Sequence, residues 1–306
     1  MSDNSFPRVS IGMPVYNCAA TLGTALRSIL NQTFSDWELL LIDDGSTDET
    51  LHVSRGHSDP RIRVFVDGLH RGLVERLNQA IDLSEGKYFA RMDGDDVSYP
   101  ERFERQVRYL EEHSDVDLLG CGVLAFKGNG LVLGTRRVPL SHRDICARPW
   151  AGFDLAHPTW VGRMQWFRRH RYRSDAVRCE DQDLLRRTYK TSRFANLPNI
   201  LVGYREESIS LGKNLASRHF VCKCLLQNAF EHKNYLLAVR GVISQNVKGL
   251  VDILAVTTGL NYRVLRHRAM PVEESVKERW AQVWRKVQEE DPMFRSSELV
   301  ASRQCL

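Results

Sequence analysis

The stretch Tyr88-Phe89-Ala90-Arg91-Met92-Asp93-Gly94-Asp95-Asp96 runs from an apolar segment directly into three carboxylates within four positions. Its apolar part, with Gly86 just upstream, reads as a buried strand. Behind the acids, Ser98-Tyr99-Pro100-Glu101 supplies a start signal and a proline suited to a first helical turn, and Phe103, Val107 and Leu110 then recur at helical spacing. The acids therefore cap the carboxyl end of a strand, where open α/β sheets bind their ligands. Carboxylates this close repel unless a cation sits among them. A hard divalent ion held by one or two carboxylates plus substrate phosphates fits such a cluster. An EF-hand loop does not, because Val97 and Ser98 fall where an oxygen ligand and the turn glycine belong. An acidic turn capping the next helix would need only one aspartate.

Working outward, strand and helix signals alternate through the first half. Val9 to Val15 reads as a strand that ends in the turn Tyr16-Asn17-Cys18, followed by a helical stripe at Thr21, Leu22, Ala25, Leu26, Ile29 and Leu30. Trp37 to Ile42 is a near-continuous apolar strand of the parallel-sheet kind. It too ends in acids, Asp43-Asp44, with Gly45-Ser46-Thr47-Asp48 opening a turn. Ile62 to Val66 is a third strand; Gly68 and Gly72 bracket a loop into a helix over Leu73 to Leu83, and Gly86 stands where a helix terminator belongs. The expectation is a doubly wound α/β sheet whose strand exits at Asn17, Asp43 and Asp93 face one crevice.

At 306 residues the chain has room for one large α/β domain with an appendage. The amino-terminal residues lack the basic-then-apolar layout of a signal peptide, and the longest apolar segment, Leu250 to Leu260, contains Asp252 and is about half the ~20 residues a membrane span needs. Seven scattered cysteines without a CxxC pair suit reduced thiols, and a cytoplasmic location is expected. Charge is uneven: residues 1–139 carry a net −6 and residues 140–306 a net +11. The acidic half should hold a cation and the basic half something anionic. The densest basic stretch, Arg163 to Arg178, has six arginines but none of the aromatic or glycine-loop devices of nucleic-acid modules, so phosphate on a small molecule or an anionic membrane surface is the expected partner, not nucleic acid.

A dinucleotide-binding fold would need a glycine-rich turn after the first strand to bring a helix N-terminus onto the pyrophosphate. Here Pro14-Val15-Tyr16-Asn17-Cys18-Ala19-Ala20 stands instead. Some other device must neutralise a diphosphate, and an aspartate-bound cation would do so.

Taken together, these residues resemble the family 2 glycosyltransferases of GT-A fold. The likeness rests on Pro14 to Asn17, Ser28 to Thr33, Ile42 to Asp48, Arg71-Gly72-Leu73 with Leu77-Asn78, and Gly86 to Asp96 followed by Pro100 to Phe103. Farther on, His157-Pro158-Thr159, Glu180-Asp181 with Asp183-Leu184, and Tyr204-Arg205 continue it. It covers roughly residues 8–206, and the order and spacing of its parts make it specific. Residues 8–115 would then form the nucleotide-sugar-binding part and 116–206 the acceptor side, with a flexible segment at 1–7 and a mainly helical extension at 207–306.

The resemblance implies roles for particular residues. Asp43, with Asp44 beside it, would contact the nucleotide base, and Pro14, Val15, Tyr16 and Asn17 would line the same pocket, with Arg71 also on the donor side. Asp93 and Gly94 would face the ribose, and Asp95 would ligate Mn2+ or Mg2+ bridging the two phosphates. Asp181 is the expected general base and Glu180 the alternative, since adjacent residues on a helix point about 100° apart. His157, Trp160 and Arg163 are candidate acceptor or phosphate contacts. For His157 an ordinary structural hydrogen-bonding role weighs more, and for Trp160 core packing is the commoner use. After Glu180-Asp181 this chain has Gln182 and later Arg186-Arg187, where the family often has aromatic residues; acceptor identity stays open on that account.

Beyond residue 206 the apolar positions at Phe220 to Phe230, Tyr235 to Val247 and Leu250 to Leu265 read as helices, followed by a charged segment carrying Trp280 and Trp284. A helix over Leu250 to Arg268 combines an apolar face with three arginines; it would either pack on the parent domain or lie on the inner face of an anionic membrane. The functional expectation is inverting transfer from a nucleotide-sugar, a UDP-sugar above all, to a saccharide or lipid-linked saccharide in polysaccharide synthesis. The alternatives are a sugar-phosphate nucleotidyltransferase, whose glycine-rich basic signature is missing, and a non-catalytic carbohydrate-binding protein.

Overall fold

Four parallel strands carry the amino-terminal half of the chain: β1 (Val9–Val15), β2 (Trp37–Asp43), β3 (Ile62–Val66) and β4 (Tyr88–Arg91), in the spatial order β3-β2-β1-β4. The computed structural model describes residues 6–206, 211–258, 270 and 272–289. Helices α1 (Ala19–Leu30), α2 (Thr50–Arg55) and α3 (Leu73–Leu83) connect these strands. Every position of β1 and β2 is buried, as a parallel sheet covered on both faces requires.

The sheet then becomes mixed. After β4 come β5 (Val97–Ser98), α4 (Arg102–Glu112), β6 (Leu118–Phe126), β7 (Val132–Thr135), α5 (His142–Ile145), β8 (Val161–Arg163), α6 (Met164–Arg169), α7 (Glu180–Thr188) and β9 (Phe194–Arg205). The strand order continues β4-β8-β6-β9-β5, with β7 beside β6, giving nine strands in all. β8 is antiparallel to both β4 and β6, whereas β9 is parallel to β6. Because β1 has β2 on one side and β4 on the other, the chain reverses direction across the sheet between β1 and β4, and a crevice opens at their carboxyl ends.

Some local expectations need correction. Helix α3 ends at Ser84, which has extended backbone, so Gly86 is not its terminator. A Cβ at Gly86 would lie 2.7 Å from the Ser10 backbone nitrogen; glycine is there for the close approach of two chain segments. Residues His157–Thr159 form one 3₁₀ turn instead of a purely extended run, with Pro158 in the first turn where its missing N–H costs nothing.

Helices α8 (Leu211–His232) and α9 (Tyr235–Thr257) form a hairpin, and α9 runs unbroken through the expected break near Val247. Helix α10 (Glu274–Gln288) does not belong to a separate extension. Its Trp280, Val283 and Val287 are buried in the main core with residues of β1, α1, α4 and β6. Trp280 packs 4.6 Å from the Phe126 ring and donates its indole N–H to the Gly130 carbonyl at 2.7 Å, while Arg27 on α1 donates to the Val287 carbonyl at 2.6 Å. The boundary expected after residue 206 therefore separates only the α8–α9 hairpin from the rest. The arginines of the expected basic helix beyond α9, residues 1–5, and the carboxyl-terminal end lie outside the described residues. Among the described residues no helix is long and apolar enough to cross a membrane.

Candidate active site

The crevice is built from three strand exits. At the end of β1, Asn17 adopts a left-handed backbone (φ 48°), which asparagine tolerates better than most residues. The turn is tied to the exit of β2: the Asn17 N–H donates to Ser46 Oγ at 3.0 Å, and the Thr47 N–H donates to Asn17 Oδ1 at 2.8 Å. Pro14 and Val15 sit in register with Ile42 and Asp43. The Tyr16 ring, half exposed, lies 4.4 Å from the His70 ring, leaving an aromatic face at the crevice edge.

The two acids at the end of β2 do different things. Asp43 is buried; its Oδ2 accepts from the Gly45 and Ser46 N–H groups at 3.1 Å each, and its Oδ1 is buried without a hydrogen-bond partner. Asp44 is spent inside the protein. Its carboxylate accepts from the Arg71 and Gly72 N–H groups and the buried Arg76 Nε, and its backbone carbonyl is hydrogen-bonded by His70 Nδ1 at 3.0 Å. Arg76 also grips Asp67 through both terminal nitrogens, so the 67–72 loop is stapled to β2. Arg71 contributes its backbone N–H to this network, and its exposed side chain pairs with Asp67 at 3.0 Å.

At the end of β4 three carboxylates converge: one ligand oxygen each from Asp93, Asp95 and Asp96 lies within 4.8 Å of the others. Gly94 permits this turn, since a Cβ there would press to 2.9 Å from Val15 and 3.0 Å from Cys18. Asp93 forms a two-pronged pair with the buried Arg91 guanidinium, both contacts at 2.5 Å. Asp96 is buried; its Oδ1 accepts from the Arg205 N–H at 2.9 Å, while its Oδ2 is buried and unpartnered. Desolvation and the charges of Asp93 and Asp95 hold the Asp96 carboxyl well above the usual range. Asp95 is pushed up to about 6 by desolvation and then by Asp93, although its side chain reaches the surface. The Arg205 guanidinium, over the Phe126 ring, donates to the Asp95 carbonyl at 2.8 Å. A cluster of oxygen donors in which the charged forms of Asp95 and Asp96 are disfavoured, with one buried oxygen unsatisfied, suits a hard divalent cation.

Across the crevice stands the start of α7. Glu180 is buried, and desolvation followed by the Asp181 charge raises its carboxyl to about 7. It lies 3.9 Å from His157 Nδ1, and the other ring nitrogen of His157 hydrogen-bonds the buried Tyr172 hydroxyl at 2.8 Å. Burial and the Arg91 charge hold His157 well below its usual range, so it is neutral. Glu180 and Tyr172 sense the charges of Arg91 and Asp93, and Tyr172 that of Asp181. Asp181 is partly exposed, and its Oδ2 accepts from Gln182 Nε2 at 3.1 Å. The site thus brings the β4 acids and the Glu180–Asp181 pair into one electrostatic neighbourhood.

Two expected contacts point elsewhere. Trp160 is fully buried and donates its indole N–H to the Leu155 carbonyl; it is a core residue. Arg163 donates to the carbonyls of Leu110, His113 and Val116, satisfying the carboxyl end of α4. Most of the basic stretch is likewise consumed: Arg168 donates to Ser84, Arg171 pairs with Asp82 and Arg173 with Glu231. Sequence reasoning passed over Tyr172 and His70, because nothing local marks a residue whose partner is 15 or more positions away.

With this geometry in view, comparison with known proteins is decisive for the family. The sequence model of glycosyl transferase family 2 matches residues 10–171, more than half of the chain. The chain belongs to glycosyl transferase family 2. It is 38% identical over 213 residues to the putative glycosyltransferase EpsE of Bacillus subtilis, covering 67% of this chain and 75% of that protein. Structural similarity supports the GT-A fold. TarS 1-349 of S. aureus, in complex with UDP, superposes with a TM-score of 0.54 at 20% identity, covering 72% of this chain and 65% of TarS 1-349. The mannosyltransferase PcManGT of Pyrobaculum calidifontis, in complex with GDP-Man and Mn2+, gives 0.56 at 15% identity, covering 97% of this chain and 88% of that one. The family 2 assignment makes this chain a glycosyltransferase of GT-A fold.

Proposed function

We propose that this glycosyltransferase moves a sugar from a UDP-sugar to a saccharide or lipid-linked saccharide hydroxyl with inversion, in the synthesis of a surface or secreted polysaccharide. The observation that carries the reading is the pair of buried, unpartnered carboxylate oxygens, Asp43 Oδ1 and Asp96 Oδ2, beyond the carboxyl ends of β2 and β4, the two strands that flank β1. A buried acceptor without a donor costs about 1–3 kcal/mol, so both oxygens await a ligand. Asp43 Oδ1 suits a nucleobase N–H, with the Pro14–Asn17 turn and the Tyr16 ring beside the base. Asp95, flanked by Asp93 and Asp96, would hold Mn2+ or Mg2+, which when bound supplies the charge that a diphosphate leaving group needs. Gly94 lets the acids approach the ribose side.

On the other wall, Asp181 takes the proton from the attacking acceptor hydroxyl, with Gln182 fixing its orientation. Inward-facing Glu180, backed by neutral His157 and Tyr172, supports it and is the alternative base. Residues 8–115 serve the donor and 116–206 the acceptor. A cytoplasmic enzyme touching the membrane peripherally through its basic half fits the charge distribution. UDP and GDP release from a panel of nucleotide-sugars with manganese tests the reading. UDP-sugar turnover that is lost in Asp181→Asn, while UDP binding persists, is expected; full activity in that variant rejects Asp181 as the base.

A further inference from the structure

Beside the base lies a second cavity, of about 620 Å3, between the segment 137–154, the start of α7 and helix α9. We propose that it binds the phosphate of a phosphorylated saccharide acceptor, an inference that rests on the glycosyltransferase reading. Its size suits a small-molecule site.

The chemistry of its walls points to an anion. Arg137, Arg148 and Lys248 line it, against two carboxylates, Asp144 and Asp154. Asp144 is turned toward Ser141, whose hydroxyl donates to it at 2.6 Å. Lys248 donates to the Ala151 carbonyl at 3.2 Å. Arg137 and Arg148 are exposed, and neither guanidinium has a hydrogen-bond, ion-pair or ring partner among the described residues. This sets them apart from Arg163, Arg168, Arg171 and Arg173, whose guanidinium groups are taken up by carbonyls and carboxylates. Two forked donors without internal partners, lining one cavity, are the kind of groups that grip a phosphate. Trp150, half-buried on the same wall and 5.7 Å beneath the Arg240 guanidinium, offers a face for a sugar ring.

Gln182 joins this cavity to the chemistry. It lines the wall; its Oε1 accepts from the Phe153 N–H at 2.9 Å, and its Nε2 donates to Asp181 Oδ2 at 3.1 Å. A phosphate held by the arginines is thus one side chain away from the base that would activate the hydroxyl of the same acceptor. On α9, Ser244 and Lys248 line the cavity, while their neighbours Ile243 and Val247 are exposed apolar residues on the outer face. A lipid-linked and a soluble sugar phosphate share this anionic chemistry, and the titration below separates them.

Calorimetric titration in metal-free buffer, where the Asp93–Asp96 carboxylates repel anions, tests the site with inorganic pyrophosphate and decyl diphosphate. Both probes are expected to bind the full chain, and the double variant Arg137→Ala/Arg148→Ala to weaken both by about tenfold or more. Arg169→Ala, an exposed arginine elsewhere, is expected to change neither. No binding to the wild-type protein, an unchanged double variant, or an equal loss in Arg169→Ala overturns the proposal. Decyl diphosphate binding about tenfold more tightly than pyrophosphate, with the gain removed by Ile243→Asp, assigns a lipid-linked acceptor; equal affinities assign a soluble one. Manganese-dependent UDP binding, measured separately on the wild-type chain, judges the donor-site reading, so either can fail alone.

Discussion

The exits of β2 and β4 look alike in sequence, each an apolar strand running into adjacent aspartates, yet the structure uses them in opposite ways. At β2, Asp44 is saturated by backbone N–H groups and the buried Arg76, and only one oxygen of Asp43 is left open. At β4 the acids crowd one another, and desolvation with mutual repulsion raises Asp95 and Asp96. One exit spends its charge on holding a loop; the other keeps charge in store for a ligand. Counting acids at a strand end does not separate the two cases. Counting the donors that reach them does.

The strongest way to break this contrast is Asp44→Ala. It leaves Arg76 Nε and the Arg71 and Gly72 N–H groups without their acceptor, while Arg76 keeps Asp67, and should lower stability by about 3 kcal/mol in urea unfolding, at about 1 kcal/mol for each lost hydrogen bond. Asp95→Ala should do the reverse, leaving stability equal or higher while cutting metal-dependent transfer by about 10²–10³-fold in a UDP-release assay. If Asp95→Ala unfolds the protein and Asp44→Ala only slows it, the two exits have been assigned the wrong way round.

Asp43→Asn sharpens the comparison within one exit. The amide can still accept from Gly45 or Ser46, but it presents a donor where Oδ1 now presents a bare acceptor. UDP binding should weaken by about 1–3 kcal/mol, read by calorimetry, with little change in melting temperature.

The smallest effect is on pH dependence. For an acid whose folded value lies above its unfolded value, the folded state binds more protons between the two, so stability falls as pH rises through that interval. Asp95 places that window between about 4 and 6, and Glu180 extends it to about 7. Metal-free protein should therefore melt at a higher temperature at pH 5 than at pH 7.5. Manganese should recover the difference at pH 7.5, and Asp95→Asn should flatten the profile. A profile that rises toward pH 7.5 without metal would contradict the picture of crowded, unsatisfied carboxylates.

Legibility in the sequence followed the range of the forces involved. β1, β3 and α3 have the ends their apolar periodicity indicates, and the parallel β3-β2-β1-β4 order follows from alternating strands and helices. The acid cluster was visible because its members are neighbours in the chain. For Trp160 core packing, the commoner use, is what the structure shows, while Arg163 faces away from the cleft; a tryptophan or arginine near a motif looks the same in sequence whether it faces the cleft or the core. The return of α10 into the main core left no local trace beyond Trp280 and Trp284 four residues apart.

Sequence alone determined the fold class, the family and the positions of the carboxylates, since hydrophobic period, turn chemistry and short motifs are written within a few residues of each other. Tertiary structure alone decided which of those carboxylates are already satisfied. It also decided which arginines remain free, because a hydrogen bond from Arg76 to Asp44 or from Arg163 to Leu110 joins segments 32 and 53 residues apart. Whether a charge is spent within the protein or kept for a ligand depends on which donors the fold brings to it.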